Sequence, residues 1–236
     1  MAISPDCLQI VSGDKNRRLQ LRRRESPHNS SRELHSDAGF VFSLQFSPDG
    51  QILASGGADR RIRLWHSSTG KMISTLSEHQ GSIMALRFMP NGQILVSAGA
   101  DLSIRFWDVV NRQLLKTIAA HEQSINDLAI SQNGQLIISG SSDGTVQIRQ
   151  LGTSTHRTLS GHQTGVQAVA ISPDGKTIAS GSVDGVVNLW DADTDQLVNS
   201  FQAHQAAVKS IVFQINGKFL ITASLDRTMK IWRATK

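Results

Sequence analysis

The stretch GHQTGVQAVAISPDGKTIASGSVDGVVNLWD, residues 161–191, decides the fold. Its apolar runs VQAVAI, TIASGS and VVNLW alternate with a period of two and favour Val and Ile, the pattern of short strands with one face turned inward. The breaks between them, SPDG and VDG, are turn chemistry. Asp-Gly supplies the positive φ that tight antiparallel hairpins need, so turns and strands agree.

Outward from this stretch the same unit returns along the chain. Asp59, Asp101, Asp143, Asp184 and Asp226 recur at spacings of 42, 42, 41 and 42. Trp65, Trp107, Trp190 and Trp232 keep the step, as do His79, His121, His162 and His204. Each unit carries a glycine turn: SPDG at 47–50, MPNG at 89–92, SQNG at 131–134, SPDG at 172–175 and QING at 214–217. A further run, such as QLLKTIAA at 113–120, makes four strands per unit. No long segment has a 3.6-residue period. The expected class is all-β, and a period near 42 residues points to a repeat architecture.

Composition narrows the function classes. A chain of 236 residues can bury a core. No apolar run approaches the roughly 18 residues of a membrane helix, and none near the start has signal-peptide length, so a cytoplasmic location is expected. Cys7 is the only cysteine, which excludes an intrachain disulfide and a multi-cysteine metal site. The net charge of +5 is unevenly placed: Lys15, Arg17, Arg18, Arg22, Arg23 and Arg24 fall together without one acid.

Gly161-His162 before the first strand, an aspartate in the turn, and Trp107-Asp108 and Trp190-Asp191 closing the third strand resemble the WD-repeat β-propeller family. The resemblance covers essentially the whole chain. It implies four-stranded antiparallel blades, about six of them, in one domain: a partial blade over 1–36, full blades over 37–78, 79–120, 121–161 and 162–203, and a partial blade over 204–236 that lacks its outer strand. Both end blades are expected to hold three strands. Either the ring closes as six imperfect blades, or the chain is the C-terminal part of a larger regulator with an edge open to strand-pairing self-association.

His, Ser and Asp recur together as His79/Ser97/Asp101, His162/Ser180/Asp184 and, with threonine, His204/Thr222/Asp226. Each set is followed by Trp107, Trp190 or Trp232, six residues after its aspartate. A hydrolytic triad would occur once, beside an oxyanion hole. Repetition at the blade period points instead to buried hydrogen-bond networks, which is their role in the family. The pattern lapses where Asp37 replaces the histidine before Ser55, Asp59 and Trp65, where Arg149 replaces tryptophan after His121, Ser139 and Asp143, and where Asn16 and Arg22 occupy the aspartate and tryptophan positions of the opening unit. With one histidine per blade, no metal and no cofactor are expected. Gly175-Lys176-Thr177 resembles the end of a phosphate loop but reads as a hairpin turn.

The repeats act as internal replicates. Beside Val41, Ile83, Ile125, Val166 and Val208, which vary only among β-branched types, stand Phe42, Met84, Asn126, Gln167 and Lys209, which differ in chemistry. The resemblance implies that this rim holds protein or peptide partners, so the expected function is a non-catalytic scaffold. The rival is nucleic-acid or anionic-surface binding through the basic opening blade. Its alternation with Leu19 and Leu21, and its lack of aromatic residues for base stacking, favour an edge-protecting strand. Asp127 is the only acid on an inner strand of the regular repeats, too little for an active site.

Overall fold

The computed structural model describes residues 1–13, 18–24, 31–35, 39–153 and 155–233. The chain forms two compact units, Met1–Ala119 and Ala120–Lys236. The first unit holds three four-stranded antiparallel sheets in sequential order. They are β1 (Ala2–Ile3) to β2 (Gln9–Gly13), β3 (Arg18–Arg23) and β4 (Ser31–His35); β5 (Val41–Phe46), β6 (Ile52–Gly57), β7 (Ile62–His66) and β8 (Met72–Leu76); and β9 (Ile83–Phe88), β10 (Ile94–Gly99), β11 (Ser103–Asp108) and β12 (Gln113–Ala119). The second unit holds β13 (Ile125–Ile130), β14 (Leu136–Ser141), β15 (Thr145–Gln150) and β16 (His156–Ser160); β17 (Val166–Ile171), β18 (Thr177–Ser182), β19 (Val186–Asp191) and β20 (Leu197–Gln202); and the three-stranded sheet β21 (Val208–Phe213), β22 (Phe219–Ser224) and β23 (Met229–Arg233). Among the described residues, no helix is long and apolar enough to cross a membrane.

The all-β repeat reading holds, with one correction at its start. The opening sheet has four strands rather than three, because Ala2 and Ile3 still pair with Val11 and Ile10 as a two-residue inner strand, while Ser31–His35 pairs with β3 at the other edge. Among the described residues the closing sheet has three strands, and Met229 and Ile231 on the last of them are 69% and 65% exposed.

Within each unit neighbouring sheets pack face to face through one repeated device. Val41, Ile83, Val166 and Val208, each opening an inner strand, seat against Gly13, Gly56, Gly140 and Gly181 of the preceding sheet. A Cβ placed on Gly56 would come 2.8 Å from Ile83 Cγ2, one on Gly140 2.7 Å from Val166 Cγ1, and one on Gly181 2.7 Å from the Val208 side chain. This contact explains why these four positions hold Val or Ile: the branch at Cβ fills a hollow that exists because the opposing residue has no side chain. Around the contact in the first unit lie Ile62, Leu64, Ile83, Leu86 and Leu95, all fully buried. Ile138, Val146, Val166 and Ile178 do the same in the second.

The hairpins beneath the sheets repeat as well. Ser47 donates its hydroxyl to Asp49 Oδ1 at 2.5 Å and accepts from Ile52 N at 2.9 Å, while Gly50 takes φ of 71°. Ser4 and Asp6 reproduce this in the opening unit at 2.5 Å, so the register drawn from sequence is right there. The glycine position, however, is Cys7, at φ of 59°. A side chain in the left-handed region costs about 1–2 kcal/mol. Cys7→Gly is therefore expected to raise stability by about 1 kcal/mol after the entropy cost of glycine, read as a higher urea midpoint.

Candidate functional site

The polar networks come first, because they separate scaffold from surface. In the His79 repeat every link is made: His79 Nδ1 to Asp101 Oδ2 at 2.8 Å, His79 Nε2 to Ser97 Oγ at 2.6 Å, and Trp107 Nε1 to Ser97 Oγ at 2.7 Å. All atoms are satisfied when the indole N–H donates to Ser97, the Ser97 hydroxyl donates to Nε2, and Nδ1–H donates to the carboxylate. Ser103 adds a hydroxyl to Asp101 at 2.8 Å. Burial raises the pKa of Asp101, but the bond from His79 and the others outweigh it and hold the carboxyl well below its usual range. His204, Thr222, Asp226 and Trp232 close the same chain, with Thr228 as the capping hydroxyl.

The His162 repeat departs from its expected network. His162 Nε2 meets Ser180 Oγ at 2.7 Å and Trp190 Nε1 donates to the same oxygen at 2.8 Å, but His162 Nδ1 is buried without a partner. Asp184 accepts from Ser182 Oγ at 2.5 Å instead. The residue two beyond the aspartate explains this. Ser103, Thr145 and Thr228 cap the carboxylate with a hydroxyl, whereas Val186 cannot, and Ser182 captures the freed oxygen. Burial pushes the His162 imidazole down to about 4, with Asp184 pulling weakly the other way.

The His121 repeat keeps its histidine bonds without a tryptophan: Asp143 at 3.0 Å and Ser139 at 2.8 Å. Burial lowers the His121 pKa, and it raises that of Asp143, where bonds from Thr145 and His121 win and hold it near 2. In the unit with Trp65, whose indole donates to Ser55 Oγ at 2.9 Å, the buried Arg63 pairs with Asp59 at 2.7 Å. Asp37 and Asn16 lie outside the described residues.

A second internal comparison concerns the position of Arg63. Gln147 reaches back to the carbonyl of Ala120, and Lys230 to that of Ala203 at 2.6 Å. Asn188 holds the same place, is fully buried, and has no partner for either amide atom. It is one methylene too short. Asn188→Gln should reach the Gly161 carbonyl and raise stability by about 1–2 kcal/mol, the cost of an unsatisfied buried group removed. Equilibrium unfolding of the two proteins checks it.

The variable positions have a shared geometric origin. Pairing passes from Val41↔Gly57 to Ser43↔Gly56, leaving Phe42 opposite no residue. The register skips Met84, Asn126, Gln167 and Lys209 in the same way. All five are β-bulge residues, and a bulge re-aims its side chain away from the ladder. They do not have equal freedom. Asn126 is tied to Ser142 Oγ at 2.9 Å and to the Val166 carbonyl at 2.7 Å, so its amide belongs to the fold. Lys209 donates to Gln167 Oε1 at 2.7 Å. In the first unit Phe42 is 47% exposed and Met84 half-buried, with no polar partner to hold either. Asp127 proves structural: its carboxylate accepts from Leu128 N at 2.8 Å and from Val169 N on the next sheet at 3.1 Å.

In the basic run, Lys15 and Arg17 lie outside the described residues. Arg18 pairs with Glu33 at 3.5 Å, Arg22 donates to Gln20 at 3.3 Å, and Arg23 to the Ser68 carbonyl at 3.5 Å; Arg22, Arg23 and Arg24 are exposed on or just past β3. Sequence reasoning missed a cleft of about 550 Å³ in the second unit, lined by Asn133, Gln135, Gln150, Arg157 and Lys176. Its residues come from hairpin turns and strand ends of two sheets, which no single motif spans. Among the described residues, no group of three or more His, Cys, Asp or Glu could hold a metal ion.

Comparison with known proteins agrees with the repeat geometry. The family model described as WD domain, G-beta repeat, matches residues 29–66, 70–108, 112–149, 153–191 and 195–233. Among curated proteins, the chain is similar to eukaryotic translation initiation factor 3 subunit I of Phaeosphaeria nodorum, 40% identical over 50 residues, covering 20% of the chain and 15% of that protein. Protein Mut11 of Chlamydomonas reinhardtii is 51% identical over 35 residues, 15% of the chain and 10% of that protein. Serine-threonine kinase receptor-associated protein of Bos taurus is 33% identical over 73 residues, 30% of the chain and 20% of that protein. The matched segments thus span no more than a fifth of these relatives.

Proposed function

Because the chain belongs to the WD-repeat family, whose members are generally non-catalytic interaction scaffolds, we propose that it binds protein or peptide partners through the bulge-lined rim of its repeats and turns over no substrate. The observation that carries this is the division of labour among columns. The recurring histidine and serine side chains are held in buried networks, with only His162 Nδ1 unpaired among their described ring nitrogens, while the bulge side chains vary and, in the first unit, Phe42 is exposed and Met84 half-buried. Exposed aromatic and methionine side chains are frequent interface anchors. Relatives named as a factor subunit and as an associated protein fit such a role.

The test is capture of partners from native cells by wild type and by Phe42→Asp, Met84→Asp and Lys209→Glu. Loss of partners in one or more variants is expected. Partners that survive all three substitutions would place the interface elsewhere.

The exposed Arg22, Arg23 and Arg24 favour a second reading, an anionic partner on β3. Binding to RNA, DNA and anionic vesicles across a salt series decides it, since phosphate contacts weaken steeply with salt. Self-association through the edge of the opening blade would appear as a concentration-dependent mass in sedimentation.

A further inference from the structure

We propose that Phe40 and Phe42, flanked by Arg60 and Arg61, form the docking point for an acidic peptide segment that carries aromatic or branched apolar residues. This rests on the scaffold reading above and names the chemistry of its partner.

The position of Phe40 is the informative one. In the four other repeats the residue before the β-branched anchor is Ser82, Ser124, Gly165 or Ala207. The fold therefore asks for a small residue there, and a phenylalanine that is 52% exposed contributes nothing to packing that the other repeats need. Its ring lies beside that of Phe42, centroids 6.4 Å apart and planes within 18°, so the two make one flat apolar ledge. The bulge sets this up: with Phe42 outside the ladder, two aromatic residues separated by one position share a surface instead of facing a partner strand.

The same repeat departs from the others in charge. The Phe40 carbonyl accepts from Ala58 N at 2.9 Å, which fastens the turn carrying Arg60 and Arg61 to the ledge. Where Arg61 stands, three repeats have the hydroxyl that caps their aspartate: Ser103, Thr145 and Thr228. Asp59, the only carboxylate of the turn, is taken by the buried Arg63. Both Arg60 and Arg61 are exposed. A pair of aromatic rings on a segment bonded to a turn that carries two exposed cations calls for a partner that is apolar and negative together, and arginine with aromatic anchors is the composition of interface hot spots.

The other repeats supply substitutions that the fold already tolerates. Phe40→Ser and Arg61→Thr copy neighbouring columns, and Phe42→Ala leaves the bulge backbone in place. The probe is a fluorescein-labelled dodecapeptide of alternating Asp with Leu and Phe, followed by anisotropy. Its controls replace Asp by Asn, or Leu and Phe by Ala, and an oligouridylate of equal net charge is run alongside. Wild type is expected to bind the acidic apolar peptide at least tenfold more tightly than either control. Phe40→Ser and Phe42→Ala should each weaken binding about tenfold, and Arg61→Thr should weaken it several-fold and flatten its salt dependence. No binding of the peptide, equal binding of the Asn control, or indifference to Phe40→Ser overturns the proposal. Tighter, Phe40-dependent binding of the oligouridylate also overturns it, in favour of a base-stacking platform. If partner capture still responds to Met84→Asp or Lys209→Glu while these peptide results fail, the scaffold reading stands and only this site falls.

Discussion

Replacing Ser97 by alanine is expected to destabilise the chain by about 2–6 kcal/mol, because two buried groups lose their partner at once and each unsatisfied group costs about 1–3 kcal/mol. Ser97 is fully buried and its oxygen serves both Trp107 Nε1 and His79 Nε2. Ser139→Ala provides the control within the same molecule. Ser139 serves only His121, since Arg149 stands where the indole would be, so its loss should cost about 1–3 kcal/mol. Urea unfolding of both variants gives the comparison, and equal losses would mean that the indole bond adds nothing.

Acid should loosen the His162 repeat before the others. The imidazole has an ordinary value of 6.5 when the segment opens and about 4 when it is folded. Between those values the open form takes up a proton and the folded form does not, so the folded form loses ground as pH falls. The contribution is complete above 6.5 and exhausted near 4. Within that window local opening should increase up to about tenfold per pH unit. Amide protection factors, which remove the intrinsic slowing of exchange in acid, should fall between pH 7.5 and 5 over 161–190 more than over 79–107. Val186→Thr, which returns a capping hydroxyl to Asp184 and frees it to face His162, should reduce the difference.

Most of the fold was legible because the same residue types recur at one spacing, and each recurrence corresponds to one physical need. The β-branched anchors fill the hollows over Gly56, Gly140 and Gly181, and the Ser-x-Asp-Gly turns are set by hydroxyl and carboxylate bonds to the next backbone amides. What escaped reading depended on reach rather than identity. Asn188 differs from Gln147 by one methylene, and that alone decides whether a carbonyl is met. Asp184 looked equivalent to Asp101, yet the deciding residue was Val186, two positions away. Asn126 looked as free as Gln167 until the distance to the Val166 carbonyl was known. The inner strand of the opening sheet was not counted because only Met1, Ala2 and Ile3 stand where it would run, too few to show an alternating pattern; Ala2 and Ile3 are held by pairing with Val11 and Ile10.

The bulges bear on how such a chain diversifies. A side chain that the ladder skips can be exchanged without redrawing any cross-strand pair, so changes there leave the folding instructions intact. Except for Asn126, whose amide is bonded to Ser142 and the Val166 carbonyl, the bulge column thereby varies apart from the columns that hold the repeat together. On the proposed rim reading, new partners are acquired one bulge at a time by a lineage, or by a designer who randomises Phe42 and Met84 and leaves Ile83 and Gly56 alone.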